Sequence, residues 1–197
     1  MAQYIDYSQI KELNLDEHKL KELPDLSKYT NLTVLDCSFN CLRALPILPS
    51  TLKVLYCTNN IISNFDNLPD NLEELYCNSN FIKSLDNLPP NLKILECHGN
   101  QIESLDNLPP NLIKLFCHRN KLTKLDNLPQ PLHNLNCREN CVLSLDNLPP
   151  KLQILDCSYN YFTMLNNAPS TLKELTFELG GISDARCIRL ENINIRK

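Results

Sequence analysis

Hydrophobic residues return along this chain at a fixed interval. NLEELYCNSNFIKSLDNLPP (residues 71–90), NLKILECHGNQIESLDNLPP (91–110) and NLIKLFCHRNKLTKLDNLPQ (111–130) are three successive copies of one twenty-residue unit. With Leu92 as position one, the unit reads L-x-x-L-x-C-x-x-N-x-(I/L), and seven segments starting at Leu32, Leu52, Leu72, Leu92, Leu112, Leu132 and Leu152 match it. A fixed period near twenty marks a solenoid, in which each repeat buries its apolar face only by stacking on its neighbours. Within ILECH the side chains alternate, so Leu95 and Cys97 point to one side and Ile94, Glu96 and His98 to the other. Leu92, Leu95, Cys97, Ile102, Leu105 and Leu108 are therefore expected to fill one interior layer. Each strand then pairs in parallel with the next at about 4.8 Å. Parallel pairing needs a return segment, and Pro89–Pro90, Pro109–Pro110 and Pro149–Pro150 predict an extended, polyproline-like one with little helix.

Weaker copies flank the seven. Ile10, Leu13, Leu15 and Leu20 match 22 residues before Leu32. Leu172, Leu175 and Phe177 continue the pattern with Gly180 at the asparagine position, and Leu190, Ile193 and Ile195 predict a last strand after an irregular GGISDARC connection. The expectation is nine full or partial rungs and a tenth strand. One solenoid domain spans 1–197, with an N-terminal cap (1–31), seven regular repeats (32–171) and a C-terminal cap (172–197).

These residues resemble the leucine-rich repeat family, whose signature is L-x-x-L-x-L-x-x-(N/C)-x-L, over roughly residues 10 to 180. The twenty-residue length and the N-L-P-x-x-L element are similar to the short class found in bacterial effectors. Cysteine at position six and L-P-P-N-L-K also resemble repeat proteins of large DNA viruses and amoebae. The resemblance implies an α/β-type right-handed solenoid with its parallel sheet on the concave face. It further implies a non-enzymatic scaffold that binds another protein there, a host protein if the chain comes from a virus or pathogen.

Three columns are expected to be structural. Asn40, Asn60, Asn80, Asn100, Asn120, Asn140 and Asn160 sit where the chain leaves the strand, and a buried amide there can pair with backbone groups left over by the turn. Cys37, Cys57, Cys77, Cys97, Cys117, Cys137 and Cys157 are read as free, buried thiols, because side chains on parallel strands run side by side and no C-x-x-C pair occurs. Cys41 and Cys141 are expected in a different environment from Cys37 and Cys137, and Cys187 is expected to be the exposed thiol. Asp66, Asp86, Asp106, Asp126 and Asp146 are expected to accept a backbone amide two residues on, in an Asx-type turn. Neither metal nor cofactor is expected.

The repeats differ from one another at positions five, seven and eight. Tyr56, Tyr76 and Phe116 place aromatic rings on the third, fourth and sixth rungs, and His98, His118, Arg119 and Arg138 form a partly basic patch beside them, with Glu96 between. Aromatic and arginine side chains are the usual anchors of protein interfaces, so these eight residues are the candidate partner site. Cross-strand stabilisation of the sheet is the alternative role for the rings. With acidic residues towards both ends of the face, a partner with an acidic or aromatic centre is expected.

Charge narrows the field. The chain carries 23 acidic and 19 basic residues for a net charge of −4, which gives no global footprint for nucleic acid. Single-stranded nucleic acid or a small acidic ligand on the aromatic, histidine and arginine patch remains an alternative, as does self-association through end rungs. No triad, phosphate loop or H-E-x-x-H element points to an enzyme, and no stretch after the last repeat has room for a ligase domain. No basic start leads into an apolar run and no segment suits a membrane helix, so an intracellular, cytoplasmic protein is expected.

Overall fold

The computed structural model describes residues 5–162, 165 and 168–178, with the backbone of 194–196. Ten three-residue strands form one parallel sheet in strict sequence order, β1 to β10. They are β1 Glu12–Asn14, β2 Val34–Asp36, β3 Val54–Tyr56, β4 Glu74–Tyr76, β5 Ile94–Glu96, β6 Lys114–Phe116, β7 Asn134–Asn136, β8 Ile154–Asp156, β9 Glu174–Thr176 and β10 Asn194–Arg196. The register never slips: Leu35, Leu55, Leu75, Leu95, Leu115, Leu135, Leu155 and Leu175 stand side by side at the strand centres. A one-residue slip would turn every leucine out to solvent, which is why a three-residue strand suffices to hold it. The single helix among the described residues is a 3-10 turn at Tyr7–Gln9, begun by the Asp6 side chain accepting from the Ser8 amide at 3.1 Å.

The interior is the expected layer repeated. Leu92, Leu95, Cys97, Ile102 and Leu105 are buried, whereas Leu108 packs against the core only partly covered. The prolines do a second job besides holding the return segment extended. The Pro89 carbonyl accepts from the Leu92 amide at 3.2 Å, and Pro49, Pro69, Pro109, Pro129, Pro149 and Pro169 close the same four-residue turn. Pro90, Pro110 and Pro150 therefore occupy the second place of a β-turn, where a φ near −65° is already required.

The asparagine column behaves as expected and ties two rungs together. Asn100 Nδ2 donates to the Cys97 carbonyl at 3.0 Å and to the Cys77 carbonyl of the preceding rung at 3.1 Å. Its Oδ1 accepts from the Ile82 amide, also one rung back, at 3.0 Å. To aim that amide inward the chain turns through the left-handed region at position eight. Glu17, Phe39, Asn59, Ser79, Gly99, Arg119, Glu139 and Tyr159 have φ between 52° and 66°. A non-glycine residue there costs about 1–2 kcal/mol. The bonds made by the asparagine offset that cost from the second rung to the eighth.

The ladder cysteines are buried and free, as expected, and burial pushes the Cys37 thiol up to about 12. The Sγ atoms of Cys37, Cys77, Cys117 and Cys157 lean towards a carbonyl of the next rung, as Cys77 does towards Glu96 at 3.3 Å. Cys41 and Cys141 are exposed while Cys37 and Cys137 are not. Cys187 lies outside the described residues.

The aspartate column departs from expectation. Among the described residues no Asp of the L-D-N-L-P element accepts an amide two residues on. Asp86 Oδ1 instead accepts from Asn107 Nδ2 of the next rung at 2.5 Å, Asp106 from Asn127 at 3.2 Å, and Asp126 from Asn147 at 3.0 Å. The physical reason is stacking: a neighbour twenty-one residues away offers a side-chain donor that a single repeat, read alone, does not contain.

Candidate interaction face

Positions three, five and seven of each rung project from the side of the sheet opposite the leucines. At position five many residues are already engaged with their own backbone. Asn14, Asp36, Asn136 and Asp156 each accept the amide two residues on, at 2.9–3.1 Å. The Asx-type bond predicted for the return segment therefore occurs here, at the strand end. On the third to sixth rungs the same position carries Tyr56, Tyr76, Glu96 and Phe116, which make no such bond. Four neighbouring strands thus hold position-five side chains with no backbone duty, and all four belong to the site predicted from sequence.

Within that run the side chains pair up. Tyr56 and Tyr76 stack with ring centroids 4.5 Å apart and planes 15° from parallel. His98 and His118, at position seven of β5 and β6, stack at 4.1 Å and 16°. Phe116 does not join the tyrosines, because Glu96 stands between it and Tyr76 in the register. All three rings are half-buried rather than freely exposed. Tyr76 Oη donates to Glu74 Oε2 at 2.8 Å, and Asn78 Nδ2 donates to Glu96 Oε2 at 3.2 Å. Desolvation first, and then the Glu74 hydrogen bond, raise the Tyr76 phenol above its ordinary range, so it remains a neutral donor.

The partly basic patch owes its charge to its arginines alone. Desolvation, followed by the neighbouring His98 and Arg119, lowers His118 to about 4, and its buried Nδ1 has no partner among the described residues. His98 is lowered as well, chiefly by desolvation. Both imidazoles are uncharged near neutral pH. Arg119 Nε and Arg138 Nε both bond to Glu139, at 2.7 and 3.0 Å, and the Arg138 guanidinium lies 4.6 Å over the Tyr159 ring. Formal counting of basic letters overstates the charge, because the imidazoles are neutral and Glu139, beside Arg138 in sequence and one rung on from Arg119, offsets one of the two guanidiniums.

The structure therefore divides the eight predicted residues. Tyr56, Tyr76 and Glu96 adjoin one another; His98 and His118 form a second pair beside them; Phe116 stands next to Glu96; Arg119 and Arg138 are held aside by Glu139. Sequence reasoning missed Glu74, which accepts the Tyr76 hydroxyl, and Asn78, which accepts the His98 amide at 3.1 Å and holds Glu96. The signal for Glu74 was available, since position three faces the same way as position five. No helix among the described residues is long and apolar enough to cross a membrane.

Comparison with known proteins agrees with this architecture. A family model described as leucine-rich repeats (2 copies) matches residues 30–70 and again 70–110. Comparison with curated proteins gives no match. Among solved structures, YopM from Yersinia enterocolitica is similar with a TM-score of 0.73 and 33% identity, over 87% of this chain and 42% of YopM. The functional domain of InlJ from Listeria monocytogenes, which includes a cysteine ladder, gives 0.75 and 34% over 88% of this chain and 41% of that one. TLR13 in its complex with ssRNA13 gives 0.71 and 25% over 85% and 29%. This chain spans about two-fifths of the length of the first two. Repeat signature, unbroken parallel register, stacked asparagines and cysteines, and these likenesses agree: the chain belongs to the leucine-rich repeat family.

Proposed function

We propose that this chain is a non-enzymatic scaffold that holds a partner protein on the concave face of its sheet, centred on the third to sixth rungs. The observation that carries this reading is the release of Tyr56, Tyr76, Glu96 and Phe116 from the backbone bonds that occupy position five at Asn14, Asp36, Asn136 and Asp156. Side chains with no backbone duty, three of the four aromatic and all half-buried, are the kind that anchor interfaces. A catalytic reading lacks its parts here, since a shallow strand surface with two neutral, stacked imidazoles offers no nucleophile held against a base.

Affinity capture with the wild type and with a Tyr56→Ala, Tyr76→Ala, Phe116→Ala triple variant tests the reading. A partner held by the wild type and lost by the variant is the expected result. One held equally by both would overturn the assignment of this face. TLR13, similar to this chain in fold, forms a complex with single-stranded RNA. Such a ligand here would show a steep fall of affinity with salt, which the bonding of both arginines to Glu139 argues against.

A further inference from the structure

The concave face is not uniform along its length. Positions three, five and seven of the first five rungs carry Glu12, Asp16, Asp36, Glu74 and Glu96, and none of these fifteen positions is lysine or arginine. Lysines flank the start of the strands, where Lys53 and Lys93 are both drawn onto Glu73 and hold its carboxyl down to about 2. On the sixth to ninth rungs Lys114, Arg119 and Arg138 restore a mixed surface.

Register orders the acidic half further. Asp36, Tyr56, Tyr76 and Glu96 stand side by side on four consecutive strands. The two rings stack on each other, so each keeps one free face: that of Tyr56 looks towards Asp36 and that of Tyr76 towards Glu96. A hollow lined by Glu12, Asn14, Val34, Asp36 and Tyr56 opens on the Asp36 side. A ring face with a carboxylate beside it suits a planar cation, which stacks on the ring and donates to the oxygens. Acid, ring, ring, acid at strand spacing repeats that arrangement twice, about 14 Å from end to end, within the reach of a short extended segment.

We infer that the concave face of the first five rungs takes an arginine-bearing, extended segment of a partner protein, with guanidinium groups laid on the outer faces of the Tyr56–Tyr76 pair and bonded to Asp36 and Glu96. This deepens, and rests on, the reading of the concave face as a protein-binding surface. It also departs from the expectation of a partner with an acidic or aromatic centre, because His98 and His118 are neutral and the two arginines, which share Glu139, lie beyond these five rungs.

The probes are fluorescein-labelled eight-residue peptides alternating serine with arginine, lysine or glutamate, titrated with the full chain and read by anisotropy. The arginine peptide is expected to bind, the lysine peptide several-fold more weakly because it lacks a planar face, and the glutamate peptide not at all. Asp36→Asn and Glu96→Gln keep the acceptors used by the Ser38 amide and by Asn78 while removing charge, so folding is preserved. Each should weaken the arginine peptide at least fivefold, and Tyr56→Ala with Tyr76→Ala at least tenfold. Glu178→Gln, at the far end of the face, should change nothing. Equal binding of the arginine peptide by wild type and all variants, or binding of the glutamate peptide instead, would overturn the inference. A partner captured through Tyr56, Tyr76 and Phe116 that the arginine peptide fails to displace would also defeat it, while leaving the concave-face reading intact. A partner indifferent to the triple variant would defeat that reading instead.

Discussion

The two sides of the same strands follow opposite rules. On the inner side Leu95, Cys97 and Asn100 recur at every regular rung; on the outer side Ile94, Glu96 and His98 change from one rung to the next. The difference lies in what each side chain touches. An inner residue meets copies of itself above and below, so one good solution at one rung serves all rungs, and a deviation harms two interfaces. An outer residue meets different letters on its two flanks and leaves its outward side to solvent or a partner. Repetition on one side leaves variation on the other free to encode recognition.

Removing interior volume should separate the two sides most sharply. Leu95→Ala empties a fully buried site between β4 and β6 and is expected to cost about 3–5 kcal/mol, whereas Ile94→Ala on the opposite side should cost less than about 1 kcal/mol. Urea denaturation of the two variants reads the contrast; equal losses would erase the distinction between faces. Asn100→Ala comes next. It orphans the buried Ile82 amide of the rung before and leaves the Cys77 carbonyl to Asn80 alone, and should lose roughly 1–3 kcal/mol. The exposed Asn59, one residue before the corresponding ladder position, is the control, and Asn59→Ala should stay within about 1 kcal/mol.

A smaller effect belongs to the turn that joins the faces. Gly99 has φ of 66°, and a Cβ there would sit 3.4 Å from Ser79 Oγ. Gly99→Ala should cost about 1 kcal/mol by differential scanning calorimetry, mostly from the left-handed backbone. A stability gain would show that position eight is unstrained.

The least effect, and the one with a sign, is acid sensitivity of the outer face. His118 is lowered in the fold from 6.5 to about 4, so the unfolded chain binds the extra proton first. Its contribution is whole above pH 6.5 and is lost as pH falls towards about 4. His118→Gln should flatten the decline in stability across that window, measured as the urea midpoint at pH 7, 6 and 5, while leaving the steeper carboxylate-driven loss below it. An unchanged slope would mean that burial of the imidazole does not disfavour its charge.

Almost all of the fold was legible because period and alternation act within one repeat. Leu95, Cys97 and Asn100 declare their roles by recurring, and the tenth strand around Ile195 was visible from three apolar letters. The candidate face was legible as a set of positions and not as a set of charges. Glu139 reaches back one rung to Arg119, burial neutralises His98 and His118, and Asn107 claims Asp86; each of these effects depends on what a neighbour in the stack supplies. A column gives the identity of a residue. Its ionisation belongs to the stack.

The backward reach of the asparagines gives the solenoid a direction in time. Asn120 supplies the acceptor for the Ile102 amide and a donor for the Cys97 carbonyl, so each rung is finished by the one synthesised after it. A chain emerging from the ribosome with its N-terminus first would always end in one rung whose polar groups await the next, while every earlier rung is already sealed. Growth would then proceed as a zipper with a single open tooth, and a stall in synthesis would expose one rung's worth of unsatisfied backbone, however many rungs precede it.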